Sequence, residues 1–310
     1  MILEQSKNIF FLGIKGVAMA NLAVVLKKMS KNVSGCDSKE EFITDKLLKD
    51  NKINWQIGFD PAKLSKKTDL IVYSAAHNGT NNPLIVKAKK NLGIKIISQA
   101  ELLGELMDQF AQRIAVCGCH GKTTTSSLLV YALNNLKENP SYIVGVPFFT
   151  NHQGGDYQGK KYFVVEADEY GINPPIDKTP KFHLLNPNHI IATNIDFDHP
   201  DVYKNIEETK KAFKNFFDKK NVKIFACIDD RNLMEVVRSL SRESYFTYGF
   251  DKKADYQITD WKTDEEGSTF YINNFLYKTL LFGEKNISNT GSVIAFLLDL
   301  GFSQEKIREA

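Results

Sequence analysis

Short apolar runs alternate with longer amphipathic stretches through most of the chain. The runs are rich in β-branched and aromatic residues, which predicts buried strands, and the stretches repeat apolar residues every three to four positions, which predicts helices. We predict strands at 8–12, 32–37, 68–76, 95–97, 113–117, 141–145, 161–169, 189–195, 222–227 and 244–248. This alternation is typical of an α/β fold with parallel sheets.

The pattern changes between 255 and 282, where apolar and polar residues alternate around turns at Glu266-Gly267 and Asn273-Asn274. Such alternation predicts a small antiparallel annex. A helix is predicted over 286–300, with Asn289 as its N-cap and an apolar stripe that includes Val293.

The length of the chain suggests about two domains, because its 310 residues, 43% of them hydrophobic, can bury a full core. The short polar segment 108–112 lies between two βα patterns and marks the boundary. We predict a Rossmann-like parallel-sheet domain over 1–110 and a P-loop-type α/β central domain, including the annex, over 111–310. Residues 303–310 begin a helix without a glycine cap, and we expect a C-terminal domain that this sequence lacks.

The segment 113–126 is a strand, a glycine loop and the start of a helix, and it predicts a nucleotide site. Gly118 and Gly121 allow the backbone N–H groups to approach phosphate oxygens, and the helix N-terminus adds its own N–H groups and dipole. Lys122 would neutralise the outer phosphates, and the Thr123 hydroxyl is placed to bind Mg²⁺. A zinc site at Cys117-Gly-Cys-His is the weaker interpretation, because no second ligand pair accompanies it.

Acidic residues and a histidine follow the later strands. Glu166, Asp168 and Glu169 end one strand, and His199 follows the next strand along the chain. Because parallel strand ends share an edge of the sheet, these groups should converge on the phosphate loop. Mg²⁺ prefers oxygen ligands, which suits Thr123 and Glu166, and His199 suggests a second metal or a phosphate contact.

A second glycine turn lies near the N-terminus. Gly13 and Gly16 follow the first strand, and Asp37 ends the next strand, where a carboxylate can meet a ribose or a base. Lys15 and Ala18 stand where the dinucleotide fingerprint has glycines, so a plain α/β turn and a ligand site are both open for this motif.

Charge and cysteine content exclude some classes of protein. A net charge of +3 with scattered lysines does not predict nucleic-acid binding, and no apolar stretch is long enough for a membrane span. Four unevenly spaced cysteines are typical of a reducing cytoplasm. His77, His152, His183 and His189 have no partner spacing, and we interpret them as structural or surface residues.

Several motifs in combination resemble the Mur ligases of peptidoglycan synthesis. They are Gly118-Cys-His-Gly-Lys-Thr-Thr124, Glu166-Ala-Asp-Glu169, Asn194-Ile-Asp-Phe-Asp-His199, Gly13-Ile-Lys-Gly-Val-Ala-Met19, Ser74-Ala-Ala with Asn82-Pro83, and Gly283-Glu-Lys-Asn286-x-x-Asn289. The resemblance implies a UDP-sugar on the N-terminal domain, ATP and Mg²⁺ on the central domain, and amide-bond formation through an acyl phosphate. Within the family, the motifs are most similar to the member that joins L-alanine to UDP-N-acetylmuramate.

The resemblance also implies roles for individual residues. Catalytic roles fall to Lys122, Glu166 and His199, and metal binding falls to Thr123, Glu166 and His199. ATP would contact Gly118, His120, Gly121, Lys122, Thr123, Thr124, Asn286 and Asn289. The UDP-sugar would contact Gly13, Gly16, Met19, Asp37, Ser74 and Asn82.

Other functions remain open at this point. Tyr170, after the Glu166-Ala-Asp-Glu169 motif, favours the related recycling ligase that joins UDP-N-acetylmuramate to an intact peptide. A nucleotide-binding module without ligase activity is another alternative. A dehydrogenase that uses the first glycine turn would leave the phosphate loop without a role. The chain alone is expected to bind ligands and turn over poorly, and its oligomeric state is not predicted.

Overall fold

A computed structural model describes residues 2–91 and 94–310, and its strands form two large sheets. The first sheet is parallel throughout, with strand order β3-β2-β1-β4-β5. Its strands are β1 (Asn8–Leu12), β2 (Asn32–Asp37), β3 (Asn54–Ile57), β4 (Leu70–Tyr73) and β5 (Lys95–Ser98). The chain reverses its direction of winding between β1 and β4, and in such sheets ligands bind at the carboxyl ends of these strands.

Five helices accompany this sheet. They are α1 (Ile2–Gln5), α2 (Val17–Lys28), α3 (Thr44–Asp50), α4 (Pro83–Asn91) and α5 (Gln99–Met107). Helix α2 is buried along most of its length, because Ala20, Leu22, Val24 and their neighbours are apolar on almost every side. Helix α5 starts with a capping box, in which Ser98 and Glu101 satisfy each other's backbone N–H groups. The Rossmann-like first sheet is therefore as predicted, although α3 and β3 were not.

The second sheet has ten strands in the order β17-β16-β15-β14-β13-β12-β6-β9-β7-β8. They are β6 (Gln112–Cys117), β7 (Ser141–Phe149), β8 (His152–Asp156), β9 (Tyr162–Glu166), β12 (His189–Ala192), β13 (Lys223–Cys227), β14 (Tyr245–Gly249), β15 (Tyr256–Asp264), β16 (Gly267–Ile272) and β17 (Phe275–Thr279). A separate hairpin pairs β10 (Gly171–Asn173) with β11 (Asp177–Pro180). The centre of the sheet is parallel, and β7·β8 and β15·β16·β17 pair antiparallel.

The antiparallel annex predicted from the alternating pattern is confirmed. Asn273 and Asn274 both have positive φ, at 50° and 63°, which is the backbone that a two-residue hairpin turn requires. The other turn lies at 265–266, one residue earlier than predicted. Strand β8 and the hairpin β10–β11 were missed, because these Gly- or Pro-containing segments of three to five residues carry little alternation.

Five helices pack on the second sheet: α6 (Lys122–Asn135), α7 (Ile206–Phe217), α8 (Arg231–Val237), α9 (Glu284–Asp299) and α10 (Gln304–Glu309). The prediction of Asn289 as an N-cap was wrong, since Gly283 caps α9 and Asn289 lies within the helix. Ile287 is fully buried and extends the apolar stripe of α9 towards its N-terminus, so the helix begins earlier than predicted.

The two sheets are joined by a close contact between α2 and the β7–β8 hairpin. The buried Asn21 side chain donates hydrogen bonds to Val144 O at 2.8 Å and Val146 O at 3.0 Å. A Cβ atom at Gly154 or Gly155 would collide with Asn21, so only glycine allows the strand to approach the helix this closely. Within the described residues, no helix is long and apolar enough to cross a membrane.

Candidate active site

The phosphate loop connects β6 to α6 at the middle of the second sheet. Gly118 has φ 133° and Gly121 has φ 84°, backbone conformations that L-residues with side chains rarely adopt. A Cβ atom at Gly121 would lie 2.8 Å from Asn289 Oδ1, and one at Gly118 would collide with Thr193 Oγ1. The two glycines therefore permit both the turn and its close packing, and Lys122 starts the helix.

Lys122 points back over its own loop. Its Nζ donates to Gly118 O at 2.6 Å and to both carboxylate oxygens of Glu169, at 2.9 and 3.0 Å. Glu169 is only 1% exposed. Burial alone would lower the pKa of Lys122, but the charge and hydrogen bonds of Glu169 outweigh it and the pKa is raised. The lysine therefore stays charged at the point where phosphate oxygens would sit.

Glu166 stands at the end of β9, directly beside α6. It accepts hydrogen bonds from Thr123 Oγ1 and Ser126 Oγ, both at 3.1 Å, and from the backbone N–H of Gly145. Burial raises the pKa of the Glu166 carboxyl, and these hydrogen bonds oppose the rise. A largely buried carboxylate next to a threonine hydroxyl is an oxygen donor pair of the kind that Mg²⁺ prefers. The predicted pairing of Thr123 with Glu166 is therefore present.

His199 lies next to Glu169 and Asp198, and its predicted role at a second metal or a phosphate stays a prediction. Its Nε2 lies 3.5 Å from Glu169 Oε1 and 3.7 Å from Asp198 Oδ2. One donor atom of each of these three residues lies within 4.8 Å of the others, which is compact enough to hold a cation. Two sets of oxygen and nitrogen donors thus flank Lys122, and Glu169 touches both the lysine and the histidine.

The loop after β12 holds the phosphate loop in place. Asn194 Oδ1 accepts a hydrogen bond from His120 N at 2.9 Å, while Thr193 Oγ1 donates to His120 O at 2.6 Å. Cys119 Sγ contacts the backbone of Asp196 through both its N–H and its carbonyl group. The backbone of His120 is therefore fixed, whereas its side chain is 71% exposed and its Nε2 lies 3.9 Å from Asp196 Oδ2.

The two asparagines of α9 differ in position. Asn289 faces Gly121 and lines a cavity of about 80 Å³ with Thr193, Asp230, Phe250 and Lys285. Asn286 Nδ2 donates to Phe282 O at 2.9 Å and so turns towards the start of its own helix. Thr124 lines a separate cavity of about 440 Å³ between α6, α9 and the annex.

The N-terminal glycine turn is built around Asp37. This buried carboxylate accepts a hydrogen bond from Lys15 N at 2.7 Å and lies 3.2 Å from His77 Nε2. The His77 ring also packs against Gly13, which has φ 82°. Spacing along the chain indicated no partner for His77, but the fold brings it to Asp37 across 40 positions, which is compatible with a structural residue. The carboxylate oxygens of Asp37 therefore contact the backbone of the turn and His77.

Three other predicted contact residues lie around this turn. Met19 and Ser74 line a cavity of about 180 Å³ beside the N-terminus of α2. Asn82 is buried, accepts a hydrogen bond from Leu84 N at 3.0 Å and donates to His77 O at 2.9 Å. It therefore supports the loop that carries His77.

The cavity beside α2 adjoins a second one, of about 160 Å³, that reaches the phosphate loop. The second cavity is lined by Lys122, Glu166 and Asp168, among others. The residues that line both are Ala18, Gln99, Ala100 and Lys181. The end of the first sheet and the phosphate loop of the second therefore open onto one cleft.

Comparison with known proteins matches the two parts of the chain to two domain models. Residues 8–111 match the description "Mur ligase family, catalytic domain", and residues 116–297 match "Mur ligase middle domain". The chain belongs to the Mur ligase family.

Curated relatives place this Mur ligase chain more narrowly. It is 35% identical, over 99% of its length, to UDP-N-acetylmuramate–L-alanine ligase of Caldanaerobacter subterraneus subsp. tengcongensis. It is also 35% identical, over 95% of its length, to the enzyme of the same name from Borreliella burgdorferi. The matched regions cover 66% and 63% of these relatives, so the chain spans about two thirds of their length.

Solved Mur ligase structures share the fold. One is the UDP-N-acetylmuramate:L-alanyl-γ-D-glutamyl-meso-diaminopimelate ligase from Neisseria meningitides, with a TM-score of 0.81 and 25% identity, covering 98% of this chain and 97% of that one. Another is the UDP-N-acetylmuramate–alanine ligase from Thermotoga maritima, with a TM-score of 0.81 and 23% identity, covering 97% of this chain and 67% of that one.

Sequence reasoning placed Glu169 near the phosphate loop without giving it a role, and it did not connect His77 with Asp37. Glu169 is one of several acidic residues after β9. The sequence could not show which of these carboxylates would be buried against Lys122. His77 offered no local signal, since its partner Asp37 lies on another strand.

Proposed function

We propose that this chain is the nucleotide-binding part of an ATP-dependent ligase that joins L-alanine to UDP-N-acetylmuramate. Residues 1–110 would hold the UDP-sugar and residues 111–310 would hold ATP. The observation that carries the proposal is the shared cleft, because it leads from Gly16, in the N-terminal glycine turn, to Lys122 of the phosphate loop. The 35% identity to alanine-adding relatives supports the choice of substrates.

The first chemical step would be phosphoryl transfer. An oxygen of the substrate carboxylate attacks the γ-phosphorus of ATP, the bond from that phosphorus to the bridging oxygen breaks, and ADP leaves with the electron pair. Lys122 holds a fixed positive charge next to this transfer and would stabilise the negative charge that spreads over the phosphoryl oxygens. Gly118, Gly121 and the first turn of α6 would supply backbone N–H groups to the phosphates.

The second step would form the amide bond. The amino group of L-alanine attacks the acyl carbon of the acyl phosphate, inorganic phosphate leaves, and the nitrogen loses a proton. The carboxylate has no leaving group until it is phosphorylated. Because the carboxylate belongs to the UDP-sugar and the phosphoryl group comes from ATP, the two nucleotide sites must lie close together.

The donor groups beside Lys122 fit Mg²⁺. Thr123 and Glu166 would hold one ion, and His199 with Glu169 and Asp198 offers a second, more mixed set of ligands. When bound, Mg²⁺ neutralises phosphate charge and orients the oxygens for transfer. The chain's part is to present these donors on the ends of fixed strands, with Glu166 already desolvated against Gly145.

Adenine would lie in the small cavity next to Gly121. Asn289 lines it and offers an amide that can pair with the edge of a base, and Phe250 supplies an aromatic face. Asn286 would act through the start of α9, since its side chain is bonded to Phe282 O. ATP and a UDP-sugar are both cytoplasmic metabolites, so we place the reaction in the cytoplasm.

The peptide-recycling reaction is the second candidate, favoured by Tyr170 after the acidic motif and by the structural match at 25% identity. The alanine-adding relatives match at the higher identity of 35%. Incubation with ATP and UDP-N-acetylmuramate, and either free L-alanine or a tripeptide, distinguishes the two by which amine stimulates release of ADP.

Calorimetry tests the proposal directly. The chain is titrated with UDP-N-acetylmuramate and, separately, with ATP in the presence of Mg²⁺. We expect one site for each ligand, and each should still bind when the other is already present. Failure of both ligands to bind would refute the assignment of the two sites.

A further inference from the structure

Lys181 lies at the junction of the two cavities in the cleft. It follows the β10–β11 hairpin and begins a short 3₁₀ turn, Lys181–Leu184. Of the residues that line both cavities, namely Ala18, Gln99, Ala100 and Lys181, only the lysine carries a charge. A group that passes from the sugar-nucleotide end of the cleft to the phosphate loop must therefore pass its ammonium group.

The Lys181 side chain is held in place, but its ammonium group can still donate further hydrogen bonds. Lys181 Nζ donates to Asp168 Oδ2 at 2.7 Å and lies 5.2 Å from the centre of the Tyr170 ring, while its backbone N–H donates to Tyr170 O at 3.0 Å. An ammonium group has three donors, and Asp168 is its only hydrogen-bond partner among the described residues. The Lys181 side chain is 27% exposed, so the remaining donors are accessible from the cleft.

Lys122 is the other cation in this part of the cleft, and its situation is different. It already donates to Gly118 O and to both oxygens of Glu169, and it sits on the loop that would hold phosphate. The carboxylates that line this cavity together with Lys181 are Asp168 and Glu166. A substrate carboxylate that entered without its own cation would meet these two carboxylates unshielded.

We propose that Lys181 binds the carboxylate of the UDP-sugar substrate and guides it to the γ-phosphate. This inference rests on the proposed function and adds to it a specificity determinant. Lys181 is a positioning residue that shares its ammonium group between Asp168 and the substrate. It lets one anion approach another anion, the triphosphate, at the start of phosphoryl transfer.

The role predicts a particular kind of selectivity. UDP-N-acetylglucosamine has the same nucleotide and the same sugar ring as UDP-N-acetylmuramate but lacks the lactyl ether and its carboxylate. Lys181 should therefore distinguish the two ligands, whereas residues around Gly13 that meet the nucleotide should not.

The test compares the affinities of both ligands for the wild-type chain and for Lys181→Met, by calorimetry. A charge-assisted hydrogen bond contributes enough that its loss should weaken UDP-N-acetylmuramate about 10- to 100-fold. UDP-N-acetylglucosamine should change less than about twofold. Lys178→Met is the matched control, because it removes the same charge from the same hairpin at an exposed position that lines neither cavity.

Lys181→Arg provides a second variant that keeps the charge beside Asp168, and it should retain most of the selectivity. Thermal unfolding of each variant establishes that it is folded. Equal weakening of both UDP-sugars by Lys181→Met, or no weakening of either, would overturn the role of Lys181 and leave the proposed function standing. Absence of binding of both UDP-sugars to the wild-type chain would overturn the proposed function as well.

Discussion

The chain contains two glycine turns that each carry a lysine, and the fold uses the two lysines in opposite ways. In the phosphate loop, Lys122 points over the loop towards the site and pairs with the buried Glu169. In the N-terminal turn, Lys15 points away from the cleft, and its Nζ donates to Glu40 O at 2.6 Å and lies 3.3 Å from Asp45. Lys122 belongs to the proposed ATP site, whereas Lys15 stabilises the structure behind the N-terminal turn.

The surroundings of Lys15 explain its direction. Its Nζ lies 5.6 Å from the centres of both the Phe42 and Trp55 rings, so the stem and charge are enclosed between two aromatic faces. The side chain is 3% exposed. The Lys15 side chain therefore does not line the cleft, although it stands where the dinucleotide fingerprint has a glycine. A lysine next to a glycine turn therefore indicates a phosphate site only when the fold directs its ammonium group into the cleft.

Substitution of the two lysines should give the largest and most different effects. Lys122→Met should weaken binding of ATP with Mg²⁺ about 100-fold or more, because it removes charge-assisted hydrogen bonds to phosphate, and should leave UDP-N-acetylmuramate binding unchanged. Lys15→Met should leave ATP affinity unchanged and lower the free energy of unfolding by about 3 kcal/mol, since Asp45 loses its cation in a mostly buried setting. Calorimetry and urea unfolding of both variants measure this.

The comparison would fail if Lys15→Met weakened nucleotide binding without a loss of stability. That result would mean that Lys15 reaches the ligand, and the enclosed arrangement between Phe42 and Trp55 would then not hold in solution.

Substitution of one glycine in each turn by alanine should change the free energy of unfolding to different extents, with a smaller contrast than that between the lysines. Gly118→Ala should lower the free energy of unfolding by about 3 kcal/mol, because it combines a φ of 133° with a collision against Thr193. Gly16→Ala should cost less than about 1 kcal/mol, since Gly16 does not have a positive φ and its nearest neighbour would be 3.6 Å from the new Cβ atom. Thermal or urea unfolding of the two variants checks the difference.

A stability loss at Gly16→Ala as large as that at Gly118→Ala would contradict this contrast. A loss of UDP-sugar affinity without a loss of stability at Gly16→Ala would instead strengthen the contrast. It would indicate that the ligand lies against the exposed backbone of Gly16.

The sequence was sufficient for the elements that depend on local pattern. The strand–loop–helix at the phosphate loop, the parallel first sheet and the annex all follow from runs, glycines and turn residues. The direction of Lys15 could not be predicted, because it depends on Phe42, Asp45 and Trp55, which the fold brings together from two segments beyond β2. Asp45 lies in α3 and Trp55 in β3, two elements that were themselves missed, and Phe42 lies in the loop before α3.

The candidate site shows the same division. The expectation that Glu166 lies near the phosphate loop came from strand ends at one sheet edge, and Thr123 and Glu166 do lie within hydrogen-bond distance, whereas their role as metal ligands stays a prediction. The assignment of His199 to Glu169 and Asp198 needed the side-chain geometry of the loop after β12. Asn289 was placed beside the phosphate loop by the resemblance, whereas its helix context was wrong because Ile287 extends the apolar stripe.

His77 offers a test within the N-terminal turn. His77→Ala should weaken UDP-N-acetylmuramate about three- to tenfold, because the ring packs against Gly13 and contacts Asp37, which holds Lys15 N. ATP affinity should not change. His152→Ala, on the edge strand β8, is the control and should alter neither affinity. Equal effects of both substitutions would show that His77 has no special role at the turn.

The smallest effect concerns the cysteines beside the two turns. Burial raises the pKa of the Cys36 thiol and of the Cys119 thiol to about 12 in each case. At pH 8 only about one thiol in ten thousand would be ionised, and the thiolate is the form that reacts with iodoacetamide. Both cysteines should therefore resist labelling in the folded chain to a similar degree, and both should react readily in urea, as followed by peptide mass spectrometry. Because the thiol pKa of about 12 lies above this range, the ionised fraction grows as pH increases, and labelling of the folded chain should rise throughout the range from pH 8 to 10.

Rapid labelling of Cys119 alone would mean that the phosphate loop opens without nucleotide. The two turns would then differ in mobility as well as in the direction of their lysines. Equal protection would confine the difference between the turns to the side chains around Lys15 and Lys122.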